Sequence, residues 1–286
     1  MISDITLGQF FPGESVIHRL DPRTKILLSI IFIVSVFLAS TPIAFIALIL
    51  FTATVILASK ISFKVILKGI KPIIIVLIFT AIINVFLTKG TSEALVSFWI
   101  IEIYTEGIIR AVFMALRVII LIVGTSTLLT YTTSPIALTD GIESLLSPLK
   151  KIKVPVHLFA MMMTIALRFI PTLVEETEKI MNAQKSRGAD FSNGGLIKRA
   201  KALIPIIIPL FVSSFKRAEE LATAMECRCY RGDKNRTKLV KLSYHGIDLA
   251  WFMASALFIG AIITLRILPA HIQTEISILK MLFYVI

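Results

Sequence analysis

Cysteine is nearly missing from this chain: two residues in 286, Cys227 and Cys229. Standing two positions apart, they are too close for a typical disulfide staple, so no disulfide framework is implied. A metal site is not implied either, because no second Cys pair accompanies them and the four histidines, His18, His157, His245 and His271, are scattered. The phosphate-cradling pattern G-x-x-x-x-G-K-[ST] is absent, which excludes ATP binding by a P-loop and leaves the energy source to another polypeptide. No cluster of His, Asp and Glu marks a lipid-modifying enzyme. Acid is scarce, 18 Asp+Glu against 30 Lys+Arg, and none lies deep in the long apolar runs, which argues against a proton or sodium relay.

What the chain has in abundance is apolar length. It is 56% hydrophobic with a mean hydropathy of +0.88, the composition of a multispan membrane protein. A helix needs roughly 20 apolar residues to cross a bilayer. Ile26 to Ser59 carries no charge and is broken only at Ser40-Thr41-Pro42, which predicts two spans and a tight turn. Pro72 to Thr88 predicts a third span, Ala111 to Tyr131 a fourth interrupted by Arg117, and Gly246 to Leu265 a fifth with Asp248 near one end. The apolar tail Ile276 to Ile286 is too short to assign. Met1 to Arg23 carries Asp4, Glu14 and Asp21 and no sufficient apolar stretch, so the first span is expected to double as the insertion signal.

Charge sets the expected orientation. Eighteen of the 30 Lys+Arg lie between Lys150 and Lys241, and the positive-inside rule makes that segment cytoplasmic. The same rule puts Arg19, Arg23, Lys25, Lys60, Lys64, Lys68 and Lys71 inside, and the loop from Lys89 to Glu106 outside. Five spans then give a cytoplasmic N-terminus and an external C-terminus.

After the fourth span, Ser134-Pro135 reads as a helix N-cap followed by proline at the first helical position. Leu138, Ile142, Leu145, Leu146 and Leu149 recur at helical spacing, predicting an amphipathic helix that ends at Lys150-Lys151 and lies on a surface. Two more segments follow, Val154 to Arg187 and Gly195 to Arg228. Each begins with an apolar half of about 14 residues, too short to span and suited to an interfacial or buried helix, and then turns charged. Glu178, Ala183 and Arg187 match Glu219, Ala224 and Arg228 at a constant offset. Breakers follow each arginine, Gly188 in one case and Arg231-Gly232-Asp233 in the other. The helix dipole ordinarily explains one C-terminal arginine. Two in matched surroundings, flanked by small Ser186, Gly188, Cys227 and Cys229, suit insertion into grooves that hold carboxylates.

These arginine motifs, with "HRLDPRTK" (His18 to Lys25), "TTSP" (Thr132 to Pro135), "VPVHLFAMMMTIALRFIP" (Val154 to Pro171) and "RAEELATAMECRCYRG" (Arg217 to Gly232), resemble the transmembrane T component of energy-coupling factor transporters. The resemblance runs through nearly the whole chain. It implies a non-catalytic subunit of the cell membrane, with no cofactor of its own, joining two cytoplasmic ABC ATPases to a small substrate-binding membrane protein, the S component. In that family the paired motifs, usually Ala-Arg-Gly, end two coupling helices and dock on the ATPases. Ser186, Arg187 and Gly188 hold the first position here, keeping arginine and glycine; Cys227, Arg228 and Cys229 hold the second, keeping arginine alone. The implied cargo is a vitamin or another micronutrient such as cobalt or nickel, and the unequal motifs point to two different ATPases.

The expected fold is an all-α integral membrane protein of about five transmembrane helices plus long amphipathic cytoplasmic coupling helices. Residues 1–131 form N-terminal transmembrane helices, 132–241 a cytoplasmic coupling-helix domain, and 242–286 a C-terminal transmembrane helix and tail. Asp21 reads first as an N-cap before Pro22, and the resemblance adds Asp21 and Arg23 as interface residues. Met161, Met162 and Met163 suit an adaptable apolar surface for different partners, or plain core. Arg117 is expected to snorkel or to meet the polar cytoplasmic helices. The basic stretch Arg231 to Lys241 faces anionic lipid or acidic protein rather than nucleic acid. A conventional ABC permease usually presents one coupling element per chain, so the doubled motif counts against that alternative, as the missing acid counts against a secondary transporter.

Overall fold

A computed structural model of the chain describes residues 10–88, 96–98, 101–189, 191, 195–232 and 242–267. In chain order the elements are α1 (Pro22–Leu38), α2 (Pro42–Ser59), α3 (Phe63–Ile70), a 3₁₀ turn (Lys71–Ile73), α4 (Ile74–Leu87), β1 (Val96–Phe98), β2 (Ile101–Ile103) and α5 (Thr105–Thr125), which runs into a π turn (Ser126–Thr130). Then come α6 (Pro135–Leu145), a 3₁₀ segment (Ser147–Ile152), α7 (Val156–Ser186), α8 (Leu196–Cys227) and α9 (Gly246–Ile267). The described residues form two compact units: one holds those of 10–134 and 242–267, the other those of 135–232.

Local chemistry sets the helix starts. Asp21 accepts the Arg23 N–H at 2.9 Å with Pro22 next to it, and Thr41 accepts the Ala44 N–H at 3.3 Å before Pro42, so α1 and α2 both begin as cap followed by proline. Short β1 and β2 pair antiparallel, Val96 with Ile103 and Phe98 with Ile101, inside the stretch that sequence treated as a plain loop.

Five helical runs among the described residues are long and apolar enough to cross a membrane: Pro42–Ser59, Phe63–Leu87, Thr105–Thr130, Val156–Ser186 and Gly246–Ile267. The third predicted span therefore starts earlier than Pro72, because the helix accommodates that proline in a 3₁₀ turn. The Val156–Ser186 run corrects the reading of its apolar start as too short, since the helix continues unbroken through Arg168 and Pro171. At 17 residues α1 sits at the lower end of the spanning range. The chain is an all-α membrane protein in which apolar side chains face outward in quantity; on α4 alone Ile75, Phe79 and Leu87 are exposed.

The core of the first unit lies among α1, α2, α5 and α9, where Phe32, Val36, Leu48, Val55, Leu128 and Ile262 are buried. Phe51 of α2 stacks on Phe258 of α9 at 4.4 Å and on Phe32 of α1 at 5.9 Å, a column of rings joining three helices. Gly124 is required beneath it, because a Cβ there would collide with the Phe32 ring.

At one end of this core sits a buried polar cluster. Asp248, 3% exposed, accepts the backbone N–H of His245 at 2.7 Å through one oxygen and that of Asp21 at 2.8 Å through the other. It thereby acts as the reaching-back acid for its own helix and supplies the same service to the start of α1. Lys25, 2% exposed, donates to the carbonyls of Thr132 at 2.8 Å and His18 at 3.2 Å. Arg117, expected to snorkel or to meet the polar helices, donates to the Ala39 carbonyl at 2.8 Å and lies over the Phe45 ring, because the end of α1 leaves that carbonyl open within reach.

In the second unit α6 starts at Pro135 as expected and ends before Ser147-Pro148. Its apolar stripe is turned outward at Ile142, Leu146 and Leu149, which are exposed, while Thr139, Gly141 and Glu143 are buried. Polar contacts decide the face: Glu143 pairs with His157 of α7 at 3.0 Å.

Asp248→Ala should destabilise the detergent-solubilised protein by about 3 kcal/mol, because two buried N–H groups and Lys25 lose their acid together. Thermal unfolding of the purified chain checks this, and an unchanged midpoint would show the cluster to be incidental.

Candidate functional site

The second unit carries the two arginine motifs on its longest helices, α7 of 31 residues and α8 of 32, each about 47 Å long at 1.5 Å per residue. Their ends are built alike. Arg187 is the C-cap of α7 with φ −88° and ψ 9°; Arg228 is the C-cap of α8 with φ −88° and ψ 13°. Beyond Arg187, the Gly188 N–H returns to the Lys185 carbonyl at 2.9 Å and the Ala189 N–H to the Gln184 carbonyl at 3.0 Å. Beyond Arg228, the Cys229 N–H returns to the Glu226 carbonyl at 2.8 Å and the Tyr230 N–H to the Met225 carbonyl at 3.0 Å. These are two copies of one Schellman ending, which closes open carbonyls and turns the chain sharply away from the arginine.

Such an ending needs a left-handed residue directly after the arginine. Gly188 supplies it at φ 86°, and Cys229 adopts it at φ 56° despite its Cβ. The loss of glycine from the second motif therefore leaves the shape of the end intact. Ser186, Arg187, Gly188, Cys227, Arg228 and Cys229 are all exposed, and neither guanidinium is paired with an acid among the described residues. Each stands as an accessible cation at the tip of a rigid rod, a form suited to bidentate pairing with a carboxylate.

Between the tips and the roots the helices are tied together. Glu176 of α7 accepts from Arg217 of α8 at 2.6 Å through one oxygen and from the Ser213 hydroxyl through the other. Sequence reading missed this contact, although a signal was there: Glu176 and Arg217 stand at the same offset as Arg187 and Arg228. The clamp therefore joins equivalent positions of the repeat, and each arginine lies eleven residues beyond its own clamp residue, about 16 Å of helix.

The remaining candidates divide between the units. Met162 and Met163 are 53% and 56% exposed on α7, beside exposed Leu158 and Phe159, while Met161 is half-buried. Exposed Ile204, Ile207, Ile208 and Phe211 continue the apolar character on α8. Asp21 and Arg23 belong to the first unit and are engaged in its own packing: Asp21 is buried at the α1 cap, and Arg23 lies over the Tyr244 ring and donates to the Leu242 carbonyl at 3.4 Å. Of the basic stretch Arg231 to Lys241, all but the first two residues lie outside the described residues.

Replacing Cys229 with glycine should stabilise the α8 ending by about 1 kcal/mol, the crowding of a Cβ in the left-handed region. Slower amide exchange at Cys229→Gly and Tyr230 is the expected readout, and faster exchange would show that the sulfur itself supports the turn.

The chain has named relatives. The family described as cobalt transport protein matches residues 13–239. The energy-coupling factor transporter transmembrane protein EcfT of Clostridium kluyveri is 56% identical over 255 residues, covering 89% of this chain and 93% of that protein. The protein of the same name in Ruminiclostridium cellulolyticum is 55% identical over 249 residues, covering 87% and 92%. That of Bacillus subtilis is 46% identical over 267 residues, covering 93% of this chain and 100% of its own length. With identity this high along nearly the full length of each, the chain belongs to the family of energy-coupling factor transporter transmembrane proteins.

Proposed function

We propose that this chain is the non-catalytic coupling subunit of an ATP-driven importer, docking two ABC ATPase subunits on the ends of α7 and α8 and passing their motion to a membrane S component that holds a vitamin or another micronutrient. The observation that carries this reading is the matched pair of helix ends, each presenting one exposed arginine from one C-cap geometry. Two homologous ATPases offer two similar grooves, and one chain meets them with two similar plugs. The different flanks, Ser186 and Gly188 against Cys227 and Cys229, fit ATPases that are alike but not identical.

The clamp supplies the mechanics. Glu176 ties α7 to α8 part-way along both helices, and in this scheme displacement of either tip turns its helix about that tie and moves the apolar root at the far end. Met162, Met163 and Phe159 on α7, with Ile207 and Phe211 on α8, are the apolar surface on which the S component rests in this scheme. The basic segment faces the cytoplasm, where ATP is, and the N-terminus lies on the same side. Residues 132–241 then form the coupling domain.

Arg187→Ala and Arg228→Ala should each strand a carboxylate in the ATPase groove, costing about 3 to 5 kcal/mol. Co-purification of a tagged chain from its native membrane, read by mass spectrometry, should recover two ABC ATPases and one or more small membrane proteins with the parent chain. ATPase recovery should fall more than about a hundredfold in either variant, and full recovery in both would sink the docking role. In a separate assay, Glu176→Ala should lower uptake of the cargo, and the exchange Glu176→Arg with Arg217→Glu should regain part of it; uptake indifferent to both would remove the clamp from the mechanism.

A further inference from the structure

Cys227 and Cys229 are all the cysteine this chain has, and both stand exposed and unpaired, one on each side of Arg228. Unpaired cysteine ordinarily packs as a small buried hydrophobe; these two pack against nothing of that kind. Cys229 also holds a left-handed position, φ 56°, which the matched α7 ending fills with Gly188. Glycine forms that turn without a Cβ to crowd it, so a sulfur is carried at this point against the backbone's preference. Arg228 and Arg231 put two exposed cations beside the thiols and draw anionic reagents to them. The α7 ending, with Ser186 and Gly188, has no sulfur to react.

We propose that Cys227 and Cys229 form a thiol modification site that switches the docking of the α8 end alone, by mixed-disulfide formation with a small anionic disulfide. A cysteine thiolate attacks one sulfur of the reagent, whose S–S bond breaks as a new bond forms from the cysteine Sγ. The departing half leaves as a thiolate and takes up a proton equivalent to the one the cysteine released. The cysteine sulfur is thereby oxidised and the departing sulfur reduced, and a second thiol reverses the step by the same exchange. The added group stands beside the arginine, where a groove shaped for small neighbours has no room for it, and its carboxylates compete for the guanidinium. One ATPase is released while the α7 end keeps the other. The inference rests on the docking role of Arg228 proposed above.

The test uses the full chain in detergent and its two ATPases, with oxidised glutathione as the probe. Capture of the ATPases by untreated chain is measured first; no capture at that stage would overturn the docking role itself and the switch with it. The chain is then treated alone, freed of reagent, checked by intact mass and mixed with the ATPases, so that only Cys227 and Cys229 can carry the modification. Capture of one ATPase should fall by roughly tenfold or more, the effect of overfilling a packed contact, and dithiothreitol should restore it. Thiols that fail to react, full capture by modified chain, or a loss that dithiothreitol does not reverse would each overturn the switch. Cys227→Ser/Cys229→Gly, compared only with itself, should show a treated-to-untreated ratio near one.

Discussion

Asp248 is the residue on which the membrane unit is organised. One buried carboxylate satisfies the first amides of two helices that lie 227 positions apart in the chain, and so brings the starts of α1 and α9 to one place. A second buried acid, Asp21, sits beside it, and the pair is balanced by the Lys25 ammonium and by the positive ends of both helix dipoles. Such a group is tolerable in an apolar core because both Asp248 oxygens accept backbone N–H groups and the Lys25 ammonium donates to two carbonyls. The alignment continues upward: with their starts fixed together, α1 and α9 run side by side, and the Phe32, Phe51 and Phe258 column locks the register. At the far end of α1, Arg117 closes the Ala39 carbonyl, so that helix is held by a cation donating to backbone oxygen at each end.

How much of this was legible depends on how local each determinant is. The cap-proline starts at Asp21-Pro22 and Thr41-Pro42 were readable because donor, acceptor and ring belong to adjacent residues. So were the ends of α7 and α8, which fall at Ser186 and Cys227, one residue before the arginines that sequence had singled out. Asp248 was visible only as an acid near the end of a span, because its second partner is far away in sequence. The Ala39 partner of Arg117 was hidden for the same reason: an open helix carbonyl leaves no mark in composition. On α6 the apolar stripe was legible from its spacing, whereas the Glu143–His157 pair on the inner face joins residues fourteen apart and was not. At α7 the rule of apolar length failed, since one arginine and one proline interrupt the composition without interrupting the helix.

The coupling unit relies on repetition rather than on burial. Its helices leave many apolar side chains uncovered, those of α8 above all, and Glu176 ties α7 to α8 through Ser213 and Arg217. Two rods tied part-way along by a polar contact keep their lengths while the angle between them can change. Packed cores resist such variation, since every side chain there has many neighbours.

The spacing between clamp and tip also fixes direction. Eleven residues at about 100° each complete three turns with roughly 20° left over, so Arg187 emerges on nearly the same side of α7 as Glu176, and Arg228 on nearly the same side of α8 as Arg217. The interval is therefore constrained in phase more tightly than in composition. Substitutions along it leave the arginine pointing where it did, whereas one inserted or deleted residue would swing it a quarter-turn or more about the helix axis.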